Sequence, residues 1–217
     1  MNTTPTTTAR PRGRPRKTDG DHQDVRAALL RAGIEALTAS TFSGNGIDSI
    51  LKRAGVPKGS FYYYFASKDA FGMAILDAYD AFFRHLLQKI LGDTQRPPLD
   101  RIRAFVDSAA TGMARHDFQR GCIVGNLAPE VGLLAAPFRC RLNHILQGWQ
   151  QQFEACLRAA QTARQIPPDS DCASLAAFFW TGWEGAVLRA RLEQSRQPLD
   201  SFLSHYLRLL VGSLFDD

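Results

Sequence analysis

The sequence has no long hydrophobic run. Across its 217 residues no window holds the eighteen or so uninterrupted apolar residues that a membrane span requires. The arginines near the start are followed by no apolar segment of the secretory type. A soluble cytoplasmic protein with no membrane partner is therefore expected. Cysteine is scarce: Cys122, Cys140, Cys156 and Cys172 are the four present. No two of them form a C-x-x-C pair and no His-x-x-x-His accompanies them, which argues against a metal site. Cys140 and Cys156 share one helical pattern, and sixteen residues at about 1.5 Å each would part them by ~24 Å, beyond disulfide reach. Reduced thiols in a reducing compartment fit this usage. Catalytic signatures are missing too. There are no paired carboxylates at useful spacing, no Ser/His/Asp order with a nucleophile elbow and no phosphate-binding glycine loop. Neither an enzyme nor a cofactor is expected.

Charge is present but uneven. Residues 1–65 hold 10 Lys or Arg against 5 Asp or Glu, whereas residues 66–217 hold 16 of each. The whole excess of +5 thus sits at one end. A polyanionic partner there is the direct reading, and a solvated basic tail the bland one. Residues 1–20 are rich in Thr, Pro and Arg and lack apolar periodicity, so a disordered arm is expected. Within it Arg12-Gly13-Arg14-Pro15 resembles the core of an AT-hook. Arg12, Arg14 and Arg16 are candidates to enter a narrow minor groove, or to act as a non-specific electrostatic tail.

The remainder reads as all-α, in about nine helices, with no competing strand signal. Residues 21–66 form a first domain and 67–217 a second. Val25, Leu29, Ala32 and Ala36 mark the buried stripe of a helix over 21–39. Asn45 is a candidate N-cap for the next helix, in which Ile47, Ile50, Leu51 and Ala54 share a face. Gly55 ends it through a left-handed cap. Pro57 suits the first turn of a third helix, whose Phe61 and Phe65 face inward. Lys58, Gly59, Ser60, Tyr62 and Tyr63 remain outward, and such groups suit phosphate oxygens and base edges in a major groove. A glycine-jointed helical hairpin also occurs in ordinary all-α cores, so the pattern alone leaves both readings open.

The stretch GVPKGSFYYYFASKDAF (55–71) resembles the helix–turn–helix of TetR-type transcriptional regulators, whose usual pattern runs close to GVSKGTLYHYFPSKEAL. The resemblance implies a homodimeric repressor on palindromic double-stranded DNA, with Lys68 reaching a phosphate. The family usually has Thr where Gly46 stands here, and Asn45 is a candidate to replace that contact. A long helix from Ser67 to Leu91 follows, with Phe71, Ile75, Ala78, Phe82, Leu86 and Ile90 in one apolar line. It is placed to couple the two domains. Further helices are expected over 99–115, 122–135, 137–164, 170–194 and 198–214. The last pair carries apolar stripes suited either to a dimer bundle through residues 170–214 or to an internal core.

Glycines beside polar groups in 121–127 and 180–185 suggest a small-ligand pocket with Cys122, Asn126, Trp180, Thr181, Trp183 and Glu184; close helix crossing with core tryptophans is the alternative. The segments 71–80, 112–130 and 179–193 resemble acrylate-responsive regulators of the AcuR type. More distantly, RGCIVGNLAPE resembles the sensor-cysteine region of repressors of the N-ethylmaleimide reductase type. An acrylate-like effector is implied, held reversibly by Trp180 or Trp183 together with a cation, Arg120, Arg189, His116 or His85. The other chemistry is addition of Cys122 to the alkene, which needs a thiolate such as a helix N-terminus favours. An inert buried cysteine is the plain reading. An architectural DNA binder using the arm alone is the alternative of another class.

Overall fold

The computed structural model describes residues 19–212. The arm, with Arg12, Arg14 and Arg16, lies outside the described residues. Among those described there are nine α-helices, two short 3₁₀ turns and no strand: α1 (Asp19–Ala39), α2 (Ile47–Ala54), α3 (Phe61–Tyr64), α4 (Lys68–Leu91), α5 (Pro98–Ala114), α6 (Ile123–Leu127), α7 (Ala136–Thr162), α8 (Cys172–Glu193) and α9 (Gln197–Leu210). No helix of the described residues is long and apolar enough to cross a membrane.

Helices α1 to α3 pack on the first half of α4. Leu29, Ala32, Ala36 and Leu37 of α1 meet Ile50, Leu51 and Val56, and all are buried. Gly55 takes the left-handed conformation at φ 66° and closes α2, as its sequence position predicts. Phe61, Phe65 and Phe71 form a ring triad with centroids 4.7 to 5.7 Å apart. Ser67 caps α4 by accepting the Ala70 N–H at 3.0 Å, which fixes where the long helix begins.

Two expectations about helix boundaries change. Asn45 is not the cap of α2: Gly46 holds that position without a side-chain bond. The Asn45 Nδ2 instead donates back to Ser40 Oγ at 2.7 Å and to the Thr41 carbonyl at 2.6 Å. A nearby acceptor in the preceding loop outcompetes the cap. The segment 122–135 is not one helix. It is the five-residue α6, a 3₁₀ turn at Ala128–Glu130 and a further turn. Pro129 lacks an N–H, so the i→i−4 ladder cannot pass through it.

Helices α4, α5, α7, α8 and α9 enclose an aromatic core. Trp149 stacks near Phe83 and Trp180, with centroids 4.3 and 5.2 Å away, and Phe153 lies 4.0 Å from Phe179. One charge is buried with them. Asp80 is 3% exposed, accepts from Arg141 Nη2 at 2.9 Å and from Trp149 Nε1 at 3.1 Å, and so has the partners a buried carboxylate requires. Phe82, assigned by periodicity to the buried line of α4, is instead exposed.

Candidate DNA interface and effector cavity

The outward face of the helix–turn–helix is built as its spacing implies. The buried Phe61 and Phe65 leave Tyr62 and Tyr63 pointing out, 64% and 70% exposed. Lys58 is exposed and pairs with Asp48 of α2 at 2.9 Å; both charges remain in solvent, so this pair can open toward a phosphate. Gly59 has open space where a side chain would stand, and Ser60 is half-buried. Tyr64 turns back and its hydroxyl meets His22 Nδ1 at 3.0 Å. Lys68 lies over the Phe42 ring at 4.8 Å in the first turn of α4, where the helix dipole also favours anions.

Two cavities flank Cys122. The first, about 380 Å³, is lined by Thr38, Tyr79, Phe83, His116, Arg120 and Trp183 among others, with the exposed Phe82 at its edge. The second, about 350 Å³, is lined by Asn126, Leu146, Glu184 and Arg191 among others. Cys122 and Val187 belong to both walls. Burial pushes the Glu184 carboxyl up to about 7, and its Oε1 is sealed from solvent with no hydrogen-bond partner. Cys122 stands at the N-cap of α6. The backbone N–H groups of Gly125 and Val124 favour its thiolate, as the helix-start position suggests, but burial and then the neighbouring Glu184 outweigh them and hold the thiol well above its usual range. The expected thiolate activation is thus reversed by the surroundings of the helix end. Burial likewise raises Tyr79, which touches the thiol.

The structure brings together only part of the expected set. Cys122, Asn126, Trp183, Glu184 and Arg120 line the cavities. Trp180 does not; it belongs to the aromatic core, and its Nε1 finds no partner. Arg189 lies on the exposed side of α8, bound to Glu193 at 2.6 Å. Thr181 is exposed and bonds its own helix. Of the candidate cations, His116 and Arg120 reach the first cavity, while His85 is exposed on α4 away from both. Arg120 also faces Glu35 at 3.7 Å.

Sequence reasoning missed Arg191. It stands seven residues after Glu184 and thus two turns along the same face of α8. The missed feature of the site is its attachment to α1. Asn126 Nδ2 donates to the carbonyls of Leu37 and Thr38 at 2.8 and 3.0 Å. The Gly121 N–H donates to the Thr38 carbonyl at 2.8 Å. Arg191 donates from Nη1 to Asn126 Oδ1 at 2.7 Å and from Nη2 to the Ala39 carbonyl at 2.8 Å. Glu130 Oε2 accepts from the Phe42 N–H at 2.8 Å. The carbonyls at the end of α1 have no partner within their own helix, and the cavity wall supplies donors for them.

Residues 29–73 match the pattern described as bacterial regulatory proteins, tetR family, and residues 98–206 match the tetracyclin repressor-like C-terminal domain. The chain belongs to the TetR family. It is 46% identical to the transcriptional regulator AcuR of Cereibacter sphaeroides over 92% of this chain and 91% of that one. It is 29% identical to the transcriptional repressor NemR of Escherichia coli K12 over 87% and 94%. Its fold superposes on the crystal structure of a TetR regulatory protein from Rhodobacter sphaeroides with a TM-score of 0.83 at 47% identity, covering 85% of this chain and 97% of that one. The reduced form of E. coli NemR gives 0.76 at 28% identity, covering 86% and 97%. The protein is a TetR-family transcriptional repressor with a DNA-binding helix–turn–helix. Members of this family bind DNA operators, and typically dimerise and take small-molecule effectors.

Proposed function

We propose that the protein is a homodimeric repressor that binds a palindromic operator through residues 21–66 and is released when a small carboxylic acid of the acrylate type enters residues 67–217. The observation that carries this reading is the cavity pair at Cys122. It is apolar on most sides, has cations at its edges and is hydrogen-bonded through α6 to the end of α1. A ligand that binds one arrangement of this wall better than another shifts the position of α1, and that differential affinity sets how much DNA is released. The resemblance of segments 71–80, 112–130 and 179–193 to acrylate-responsive regulators supports the choice of acid. Lys58, Gly59, Ser60, Tyr62, Tyr63 and Lys68 would meet the DNA, with Arg12, Arg14 and Arg16 of the arm in the adjoining minor groove. Asn45 is given no direct contact, because its amide is tied into its own loop.

Dimerisation is assigned to α8 and α9. Phe178, Thr181, Gly185, Leu188 and Leu192 are all exposed on α8. Their spacing of three and four residues makes one stripe with a glycine at its middle, the pattern that lets two helices meet closely. Paired recognition helices then stand about one DNA turn apart.

Operator DNA carrying a fluorescent label, titrated with sodium acrylate, propionate and N-ethylmaleimide in turn, tests the reading. Reversible release by acrylate supports it, and unchanged anisotropy with all three removes the effector. A second reading, electrophile sensing through Cys122, is favoured by the position of the thiol in both cavity walls. Cys122→Ser should then lose the response to N-ethylmaleimide, and full retained release would remove the thiol from the mechanism.

A further inference from the structure

Two polar atoms in the wall of the second cavity have no partner. They are Glu184 Oε1 and Arg191 Nε, both sealed from solvent. Burying such atoms unbonded is costly, and here one donor and one acceptor are left open in the same cavity. Leu146, Val187 and Leu188 supply the apolar part of its lining. Both side chains line the cavity while the two atoms are themselves sealed, so a ligand meets this donor and this carboxyl group only as the wall gives way.

The guanidinium is not idle elsewhere. Its Nη1 holds Asn126 and its Nη2 holds the Ala39 carbonyl, and its charge sits at the negative end of α1. Arg191 thus connects α8 to both α6 and the last residue of α1. Five N–H groups are available on an arginine, and the favoured carboxylate geometry takes two of them in parallel.

We propose that Arg191 receives the carboxylate of the effector on its free Nε–H, and that this binding breaks the hydrogen bond by which Arg191 holds the end of α1. The proposal rests on the carboxylate reading above. A carboxylate taken side-on by Nε also takes a hydrogen of Nη2, the nitrogen that now serves Ala39. Nη2 carries two hydrogens, and with the Ala39 carbonyl assigned to the one facing Nε, ligand and carbonyl compete for the same edge of the guanidinium. The second carboxylate oxygen needs a further donor, and Glu184 supplies it in its protonated form, which burial makes accessible near neutral pH. The groups facing Glu184 are the Cys122 thiol at the start of α6 and the Tyr79 phenol of α4; both are held neutral, so no cation other than Arg191 is assigned to the bound anion in this cavity. Release of Ala39 leaves Asn126 and the Gly121 N–H to hold the Leu37 and Thr38 carbonyls.

The test compares wild type, Arg191→Gln, Arg191→Lys and Glu130→Ala, each full length and each checked for a cooperative melt. Sodium acrylate binding is measured calorimetrically on free protein, with acrylamide as the uncharged analogue, and operator affinity is measured by anisotropy. Arg191→Gln should weaken acrylate at least tenfold and also weaken the operator. Arg191→Lys, which keeps the charge but not the parallel pair of donors, should fall between. Glu130→Ala removes the acceptor that holds the Phe42 N–H, so it loosens the cavity wall from the loop after α1 without touching Arg191 or the lining of the second cavity. It should bind acrylate at least as tightly as wild type while binding the operator more weakly, because coupling between the two sites is reciprocal. Acrylamide should bind none of them at comparable concentration. Acrylate affinity within twofold of wild type in Arg191→Gln overturns the proposal, as does a Glu130→Ala loss equal to that of Arg191→Gln. Wild-type protein that binds its operator but no carboxylate removes the underlying effector reading, and this proposal with it.

Discussion

Replacing Glu184 by Gln should stabilise the protein above neutral pH, against the usual rule that core substitutions destabilise. The carboxyl is buried beside Cys122 and raised from 4.5 to about 7. Between these two values the folded chain holds a proton that the unfolded chain has lost. Stability from this group is therefore fully present below about pH 4.5, falls as pH rises, and is gone above about pH 7. At about 1.4 kcal/mol per unit the loss is about 3 kcal/mol. Glutamine has nearly the same shape and never ionises. The stability of Glu184→Gln relative to wild type should thus rise by about 3 kcal/mol between pH 4.5 and pH 8, and stay level from pH 8 to pH 9. The groups facing the carboxyl, Cys122 and Tyr79, are themselves held above their usual ranges and do not titrate in this window. Urea unfolding at fixed protomer concentration, needed because a dimer's stability depends on it, gives the difference at each pH. Parallel curves for the two proteins across the whole range would refute the argument that this carboxyl is buried without a compensating cation.

Other perturbations follow from particular contacts. Asp80→Ala leaves Trp149 Nε1 without its acceptor and strips Arg141 of its buried partner, so urea unfolding should show a loss of about 3 kcal/mol. Gly72→Ala places a methyl group against the Phe42 and Phe138 rings. Overpacking there should cost about 1 to 3 kcal/mol by the same assay, and it should weaken operator binding because Phe42 anchors the loop before α2. Deleting residues 1–17 should reduce the slope of log affinity against log salt by about 0.9 for each arm arginine that meets a phosphate, roughly 3 in all; an unchanged slope removes the arm from the interface.

The architecture was readable because its signals are local. Gly55 closes α2 through its backbone, Ser67 opens α4 through one side-chain bond, and Phe61 and Phe65 turn inward four residues apart, each where its residue type implies. Periodicity also assigned Tyr62 and Tyr63 to the outer face. It failed where the outcome depends on a partner far along the chain. Asn45 looked like a cap, but Ser40 and Thr41 hold its amide. Cys122 has the helix-end N–H groups that lower a thiol, yet Glu184, 62 residues away in sequence, helps raise it. Flanking glycines suggest Trp180 as a pocket residue, whereas five surrounding aromatic rings make it core. Arg191 was passed over because its role lies in bonds to α6 and α1, and neither is visible from α8 alone.

Anisotropy of labelled DNA from the gene's own upstream region, titrated with full-length protein and then with sodium acrylate, bears most directly on the central claim. The account expects saturable binding to a discrete palindrome at nanomolar protein, followed by release that reverses when the acrylate is dialysed away. Binding that is equally tight on unrelated DNA of the same length would contradict the assignment of a sequence-specific repressor.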